Sequence, residues 1–185
     1  MELSGIFNTK RNVYFMTKKI DIKSIIERFP FLQSTEPDWP LINLEIPSGW
    51  YMLFLQMCED IRQPLLDAGK LHTFRFLQVK EKFNQLTCYA CGGTEEVQKI
   101  LDKYAKMSRY VCSRCGKPAI CETTDYILSY CNECFKELSK QAKLDWITPE
   151  TCYQVTDSPP DRETYNVIIS FKDEWERYLE VINHA

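Results

Sequence analysis

Four cysteines form the clearest chemical pattern in the sequence. They make two Cys-x2-Cys pairs, Cys112 with Cys115 and Cys131 with Cys134, and fifteen residues separate the pairs. Each pair can turn two thiolates toward one point, and two such pairs can surround Zn²⁺ with four sulfurs in a closed tetrahedron. Such a site has no free coordination position for a substrate. The spacing therefore predicts one structural zinc ion rather than a catalytic one.

A competing ligand set combines Cys112 and Cys115 with a third pair, Cys88 and Cys91, because twenty residues separate Cys91 from Cys112. Cys88 lies in a strand-like alternation, where side chains three positions apart point to opposite faces. This set would also leave the last cysteine pair without a role. A redox site of the thioredoxin type needs a strand-to-helix turn in a βαβ unit, whereas a Gly-Gly step follows here. We therefore favour the first set.

The remaining cysteines, Cys58, Cys121 and Cys152, are interpreted as core or loop residues, although Cys121 could replace a ligand. An odd total of nine cysteines, four of them at metal-ligand spacing, is typical of a reducing compartment. The first twenty residues lack the apolar core of a signal peptide, and Met16 is an alternative start. No run of eighteen apolar residues is present. We expect a soluble, cytoplasmic protein.

Histidine is scarce, and this argues against several enzyme classes. His72 and His184 are the two histidines, and neither has a partner at metal-ligand spacing. The sequence also lacks a His-x-Glu deaminase pattern, a phosphate-binding Gly-rich loop and a nucleophile elbow. We interpret His72 as a strand-edge residue. We therefore expect no enzymatic activity and assign no catalytic or cofactor-binding residues.

Hydrophobic periodicity predicts an α+β fold in four segments. Residues 1–47 form an N-terminal arm with a short helix at 22–29, and residues 48–108 form a helix-hairpin-helix core. Residues 109–148 form the attached treble-clef-like zinc module. Residues 149–185 add a C-terminal strand (165–171) and helix (173–182) that pack back on the body, after a loop marked by prolines.

Within the core, Ser48 is predicted to cap a helix that starts at Gly49, and Pro64 to kink its last turn or end it near Arg62. Strands at 71–79 and 86–91 are joined by a six-residue connection into an antiparallel hairpin. Thr94 is predicted to cap the second helix, with acidic residues in its first turn.

Basic residues mark the surface where a partner or an anion could bind. Lys80 and Lys82 flank Glu81 on the hairpin, and Arg114 and Lys117 lie beside the first cysteine pair. Residues 109–143 contain six cations and four carboxylates, a formal charge of +2, and four thiolates on one Zn²⁺ add −2. The metallated module is therefore nearly neutral, and the whole chain carries −3, which does not favour nucleic acid.

The chain resembles a group of small bacterial and phage proteins in three features. These are a Gly-Trp helix opening at Gly49, the run Gln-Val-Lys-Glu-Lys-Phe at 78–83, and a Cys-x2-Cys-Gly element that starts at Cys112. The match covers about residues 48–135 and departs at Asn84, where the group usually has glycine, and at Thr87 and Cys88, where arginine and an aromatic residue are usual. The resemblance implies a zinc element and similar domain boundaries, but no catalytic residue.

These observations lead to one functional hypothesis and two alternatives. The closed metal site and the missing catalytic patterns favour a zinc-stabilised, non-enzymatic interaction protein, phage- or prophage-encoded, that modulates a host or viral protein. The first alternative is a nucleic-acid-binding regulator that uses the clef helix and the four basic residues named above. An enzyme of another kind ranks third, and a deep pocket with converging polar side chains would distinguish it.

Overall fold

The computed structural model describes residues 14–15, 18–19, 22–35, 41–123, 127–140, 152–154, 159 and 161. The strand predicted at 165–171 and the helix predicted at 173–182 lie outside the described residues. Within the described ranges, no helix combines the length and apolar character needed to cross a membrane.

Helices and strands are mixed along the chain, so the predicted α+β class is confirmed. In chain order, the described elements are β1 Tyr14–Phe15, β2 Lys18–Lys19, α1 Ile22–Arg28, β3 Leu44–Glu45, α2 Tyr51–Asp67, β4 Arg75–Lys82, β5 Gln85–Cys91, α3 Glu95–Met107, β6 Cys121–Thr123, β7 Ser129–Tyr130, α4 Asn132–Lys140 and β8 Cys152–Gln154. The short helix predicted at 22–29 matches α1. Strands β1 and β2 pair within the predicted N-terminal arm.

A three-stranded sheet in the order β3-β4-β5 carries the main core. Strands β4 and β5 are antiparallel, and the short β3 runs parallel to β4. Helices α2 and α3 pack against each other, and α3 packs on β5, so that one face of the sheet is covered and apolar. The largest fully buried side chains of this core are Trp50, Tyr104, Phe29, Phe31, Phe54 and Phe74.

The hairpin turn is shorter than predicted, so the six-residue connection was wrong. Strand β4 continues to Lys82 and β5 begins at Gln85, which leaves Phe83 and Asn84 as a two-residue turn. Both turn residues have positive φ, 51° and 58°. This is the type I′ geometry, whose twist matches that of the flanking strands. Asparagine tolerates positive φ because its short polar side chain can bond locally.

A β-bulge explains why the alternation along β4 is imperfect. The register shifts between Phe76 and Gln78, so Phe76 and Val79 both point into the core although they are three residues apart. Leu77 is pushed outward and is 70% exposed. The strand predicted at 71–79 also started too early, because residues 71–73 form a hydrogen-bonded turn before β4.

The entry to α2 differs from the prediction. A 3-10 turn, Ser48–Trp50, precedes the helix, and Trp50 occupies the N-cap position without a side-chain hydrogen bond. The Ser48 hydroxyl instead donates to the carbonyl oxygen of Arg114 at 3.1 Å. Ser48 was therefore wrongly predicted as a helix cap, because a distant carbonyl competes for its hydroxyl.

The end of α2 lies beyond Pro64, so an end near Arg62 was wrong. The helix continues to Asp67, since a proline in the last turn removes a single backbone hydrogen bond. Gly69, at φ 65°, then closes it: its amide donates to Leu66 O at 2.9 Å, and the Lys70 amide donates to Leu65 O at 2.7 Å. This pair of bonds is a Schellman motif. The predicted cap of α3 is confirmed, because Thr94 Oγ1 accepts from the Val97 amide at 3.2 Å.

A second, smaller sheet has the order β7-β6-β8. Strand β8 lies within the segment predicted as a loop between prolines, and it pairs antiparallel with β6. A separate cluster of buried side chains lies beside this sheet: Cys112, Cys121, Tyr130, Cys131 and Cys134, with Leu128, Phe135 and Leu138 packed against it. The fold therefore positions the cysteines in a core of their own.

Candidate metal centre

The structure brings together the four cysteines predicted as metal ligands. The sulfurs of Cys112, Cys115, Cys131 and Cys134 all lie within 4.8 Å of one another, and Cys115 Sγ is 3.6 Å from Cys131 Sγ. Three of the four residues are buried. The described residues contain no other group of three or more side chains placed to hold a metal ion. The arrangement can hold one ion.

The other cysteines do not join this group. Cys88 is half-buried against the main core, and Cys91, on the opposite side of β5, is exposed. The competing set is therefore rejected, as strand alternation predicts. Cys121 is buried and its thiol donates to the carbonyl oxygen of Tyr130 at 3.6 Å. Cys58 is fully buried in the main core. The side chain of Cys152 lies outside those that the structure describes.

The first cysteine pair lies in a tight turn, here called the knuckle, residues 112–117. The Cys112 amide donates to Lys117 O at 2.8 Å, and the Gly116 amide donates back to Cys112 O at 2.9 Å. Gly116 has φ 76°, which glycine adopts at little cost. Both bonds fold the backbone so that Cys112 and Cys115 face the same point.

The second pair lies at the start of α4. Cys131 immediately precedes the helix, and its carbonyl oxygen accepts from the Phe135 amide at 2.9 Å. The Cys134 amide donates to the sulfur of Cys131 at 3.5 Å. A helical turn separates the two residues, so their sulfurs emerge on one side of α4.

The sulfurs of the cluster shift one another's pKa. A hydrogen bond from the Cys115 thiol lowers the pKa of Cys112 to about 5, and the same bond raises the pKa of Cys115. Burial raises the pKa of Cys134 to about 12. Four thiolates this close repel one another, and a positive ion between them offsets that repulsion.

The three residues before α2, Ser48–Trp50, donate hydrogen bonds to main-chain oxygens of the knuckle and of residue 111, which precedes it. Beyond the Ser48 bond, the Gly49 amide donates to Ser113 O at 2.9 Å, and the buried indole of Trp50 donates to Val111 O at 3.0 Å. A Cβ atom on Gly49 would lie 2.1 Å from Cys112 O, so this position requires glycine. The Gly-Trp pair noted in the sequence is therefore a docking site for the knuckle.

The hairpin turn is joined to the small sheet by Asn84, whose side chain is fully buried. Its Nδ2 donates to Glu122 Oε1 and to Ser129 Oγ, both at 2.7 Å, and its Oδ1 accepts from the Ser129 amide at 3.1 Å. Arg109 holds Glu122, which is 1% exposed, through two bonds of 2.9 and 3.1 Å. The sequence did not predict that these four residues form a buried network. The signal that could have indicated it is an asparagine at the tip of the hairpin.

The four basic residues predicted as a partner or anion surface lie on two elements. Arg114 and Lys117, on the knuckle, pair with carboxylates of α4: Arg114 with Glu137 at 3.3 Å and Lys117 with Glu133 at 2.5 Å. On the hairpin, Lys80 Nζ lies 5.4 Å from the centre of the Tyr89 ring. Lys82 Nζ lies 5.6 Å from the centre of the Phe83 ring.

His72 is not at a strand edge as predicted. It is exposed in the hydrogen-bonded turn before β4, whose backbone bonds return to Lys70.

No protein-family model matches the chain, and no characterised protein or solved structure matches it at a significant level. The candidate function is therefore argued from the geometry of the site and the surfaces around it.

Proposed function

We propose that the cysteine cluster holds one structural Zn²⁺ in a treble-clef-like module. Four thiolates at roughly 2.3 Å from a tetrahedral zinc stand about 3.8 Å from one another. The 3.6 Å separation of Cys115 Sγ and Cys131 Sγ, within a group no wider than 4.8 Å, supports this. Sulfur ligands in tetrahedral positions select zinc over calcium or magnesium, which prefer oxygen. A knuckle, a short hairpin (β6 and β7) and a helix that carries the second pair make the treble-clef comparison apt.

The module and the helix-hairpin-helix core then act as an interaction protein without enzymatic activity. The observation that carries this proposal is that the metal centre is enclosed by structural contacts: Ser48–Trp50 on one side and four sulfurs around one point. All coordination positions of a tetrahedral ion are filled by protein. We propose that the protein is intracellular, phage- or prophage-encoded, and that it binds and modulates a host or viral protein.

Nucleic-acid binding is supported less well. Two of the four cations that it would use, Arg114 and Lys117, already face carboxylates of α4. Binding to a duplex without sequence readout relies on several phosphate contacts at once. Salt-sensitive gel shifts at low ionic strength would favour this alternative over a protein partner.

Two measurements test the proposal. Elemental analysis of purified protein should give about one zinc per chain, and a folded, metal-free protein would contradict the zinc assignment. Affinity capture from a bacterial host lysate, followed by size-exclusion chromatography, should yield a stoichiometric protein partner. Absence of any such partner, with zinc present and the chain folded, would contradict the interaction function alone.

A further inference from the structure

The uncovered face of the main sheet carries an open groove of about 940 Å³. Its floor is formed by β4 and β5, and one wall is formed by residues 33–35 and 42–43. Leu77, which the bulge pushes outward, is 70% exposed, and Tyr89 beside it is 43% exposed. Helices cover the opposite face of this sheet, and the groove lies on the face that they leave open.

The lining of the groove carries two cations and one carboxylate. Arg75 and Lys80 line it, and no ion pair joins either one to a carboxylate within the ranges that the structure describes. Cations elsewhere, such as Arg28, Lys103 and Arg109, do have carboxylate partners. Glu45, the acidic residue of the lining, stands opposite Lys80 in the β3–β4 pairing, and its carboxylate accepts from Gln78 Nε2 at 3.3 Å, so the lining keeps a net charge of +1. The groove therefore favours a ligand that brings carboxylates.

The spacing of the two cations sets the shape of that ligand. Arg75 and Lys80 lie opposite residues 91 and 87 of β5, which are four apart because of the bulge, so roughly 13 Å separates the two cations along the strand. The apolar surfaces of Leu77 and Tyr89 lie between them, since Tyr89 pairs with Gln78 across the hairpin. An extended peptide has a similar rise per residue. It can therefore place acidic side chains near both cations and an apolar side chain in the middle.

A single strand of nucleic acid fits the groove less well. Such ligands stack successive bases on several aromatic rings and track a continuous positive surface. Tyr89 is the exposed aromatic ring of this lining, and Lys80 already lies over it. The chain as a whole carries a formal charge of −3.

The geometry points to this groove as the docking site for an extended segment of a partner protein, with acidic residues flanking an apolar or aromatic one. The inference rests on the proposed function and names the surface and the partner chemistry. The site lies on β4 and β5, is formed by Arg75, Leu77, Lys80 and Tyr89, and shares Lys80 with the four-cation surface expected from the sequence.

Selection of displayed short random peptides on the full, zinc-loaded chain tests this assignment. Enriched sequences should place Asp or Glu on both sides of an apolar residue, and a synthetic consensus peptide should shift the amide resonances of Leu77 and Tyr89. Lys80→Glu should weaken its binding by about tenfold or more. Lys106→Glu, the same charge change on the exposed part of α3, should leave binding unchanged. If Lys80→Glu disturbs the amide spectrum of the free protein, Lys80→Gln takes its place.

Each contrary result has a distinct meaning. Enrichment without acidic residues, equal loss of binding in Lys80→Glu and Lys106→Glu, or oligodeoxythymidylate shifting the same amides more strongly would overturn the inference. A protein partner captured from lysate that binds Lys80→Glu as tightly as the unmodified chain would also overturn it, and would leave the proposed function standing. Failure to capture any partner, with the peptide result positive, would instead contradict the host or viral target.

Discussion

Asn84 has two structural roles, one in the hairpin turn and one in a buried hydrogen-bond network. Its backbone adopts the positive φ that the two-residue turn requires, and its amide is buried between Glu122 and Ser129. Glycine would fill the first role but not the second. The sequence indicates a turn here but not its two-residue length, although asparagine between alternating strands favours positive φ. The buried contacts could not be foreseen, since their partners lie 38 and 45 residues further along the chain.

Substitutions at Asn84 should separate these two roles. Asn84→Gly keeps the backbone conformation and leaves Glu122 and Ser129 short of a partner, so we expect a loss of about 2 kcal/mol in the free energy of unfolding. Asn84→Ala adds the cost of positive φ, roughly 1 kcal/mol more. Urea unfolding of the zinc-loaded protein measures both. Unchanged stability in Asn84→Gly would show that the buried bonds contribute nothing.

Gly49 and Gly69 form a matched pair for a second test. Gly49→Ala places a methyl group 2.1 Å from Cys112 O, so the knuckle must move, and we expect a loss of about 3 kcal/mol together with weaker zinc binding. Gly69 has positive φ but open space around it, so Gly69→Ala should cost about 1 kcal/mol and leave zinc affinity unchanged. Competition with a chromophoric chelator gives the affinities. Equal affinities in the two variants would contradict the docking of Gly49 on the knuckle.

At the scale of elements, helices that depend on neighbouring residues could be predicted from the sequence. Features that depend on contacts between distant residues could not. Apolar periodicity and a capping threonine were sufficient for α1 and α3, because both helices depend on neighbouring residues. The bulge in β4 and the pairing of β8 with β6 depend on partners distant in sequence. Ser48 illustrates the same limit, since its hydroxyl bonds to a carbonyl 66 residues away rather than to its own helix.

The alternation along β5 predicts different reactivities for its two cysteines. Cys91 is exposed, whereas burial raises the pKa of Cys88 to about 12. Near pH 8, Cys88 should stay protonated and react with iodoacetamide far more slowly than Cys91, because the thiolate is the nucleophile. Peptide mapping by mass spectrometry measures the two rates.

The raised pKa of Cys88 also predicts that the stability of the protein depends on pH. The folded state holds the Cys88 proton more tightly than the unfolded chain, so the stabilisation is present below the ordinary thiol pKa of about 8.5. It should be lost as pH rises from there toward 12. Cys88→Ala should flatten the alkaline slope of the unfolding free energy, and an unchanged slope would contradict the raised pKa.

At the scale of the whole molecule, contacts between the main core and the cysteine core form around Ser48–Trp50 and around Asn84 in the described part of the chain. Ser48–Trp50 contacts the knuckle and its approach, and Asn84 contacts β6 and β7. A structural metal supplies folding free energy, because the unfolded chain has no preformed site. Loss of the metal should therefore affect both contact regions as well as the module.

Chelation tests this coupling. Removal of the metal with an excess of EDTA should release the knuckle, expose the indole of Trp50 to water and shift its fluorescence to longer wavelength. The chain contains four tryptophans, so Trp50→Phe serves as the control and should lose most of this shift. Addition of zinc should reverse the change. A shift that persists in Trp50→Phe would place the change elsewhere in the chain.

The docking of Trp50 on residue 111 has a consequence for synthesis on the ribosome. The indole and its acceptor are separated by 61 residues, so the helix that follows Trp50 emerges well before the backbone that must cover it. Domains of this size fold as their segments become available, and apolar surface that waits for a later segment is prone to aggregation. We therefore expect Trp50 to need shielding from water until the first cysteine pair leaves the exit tunnel.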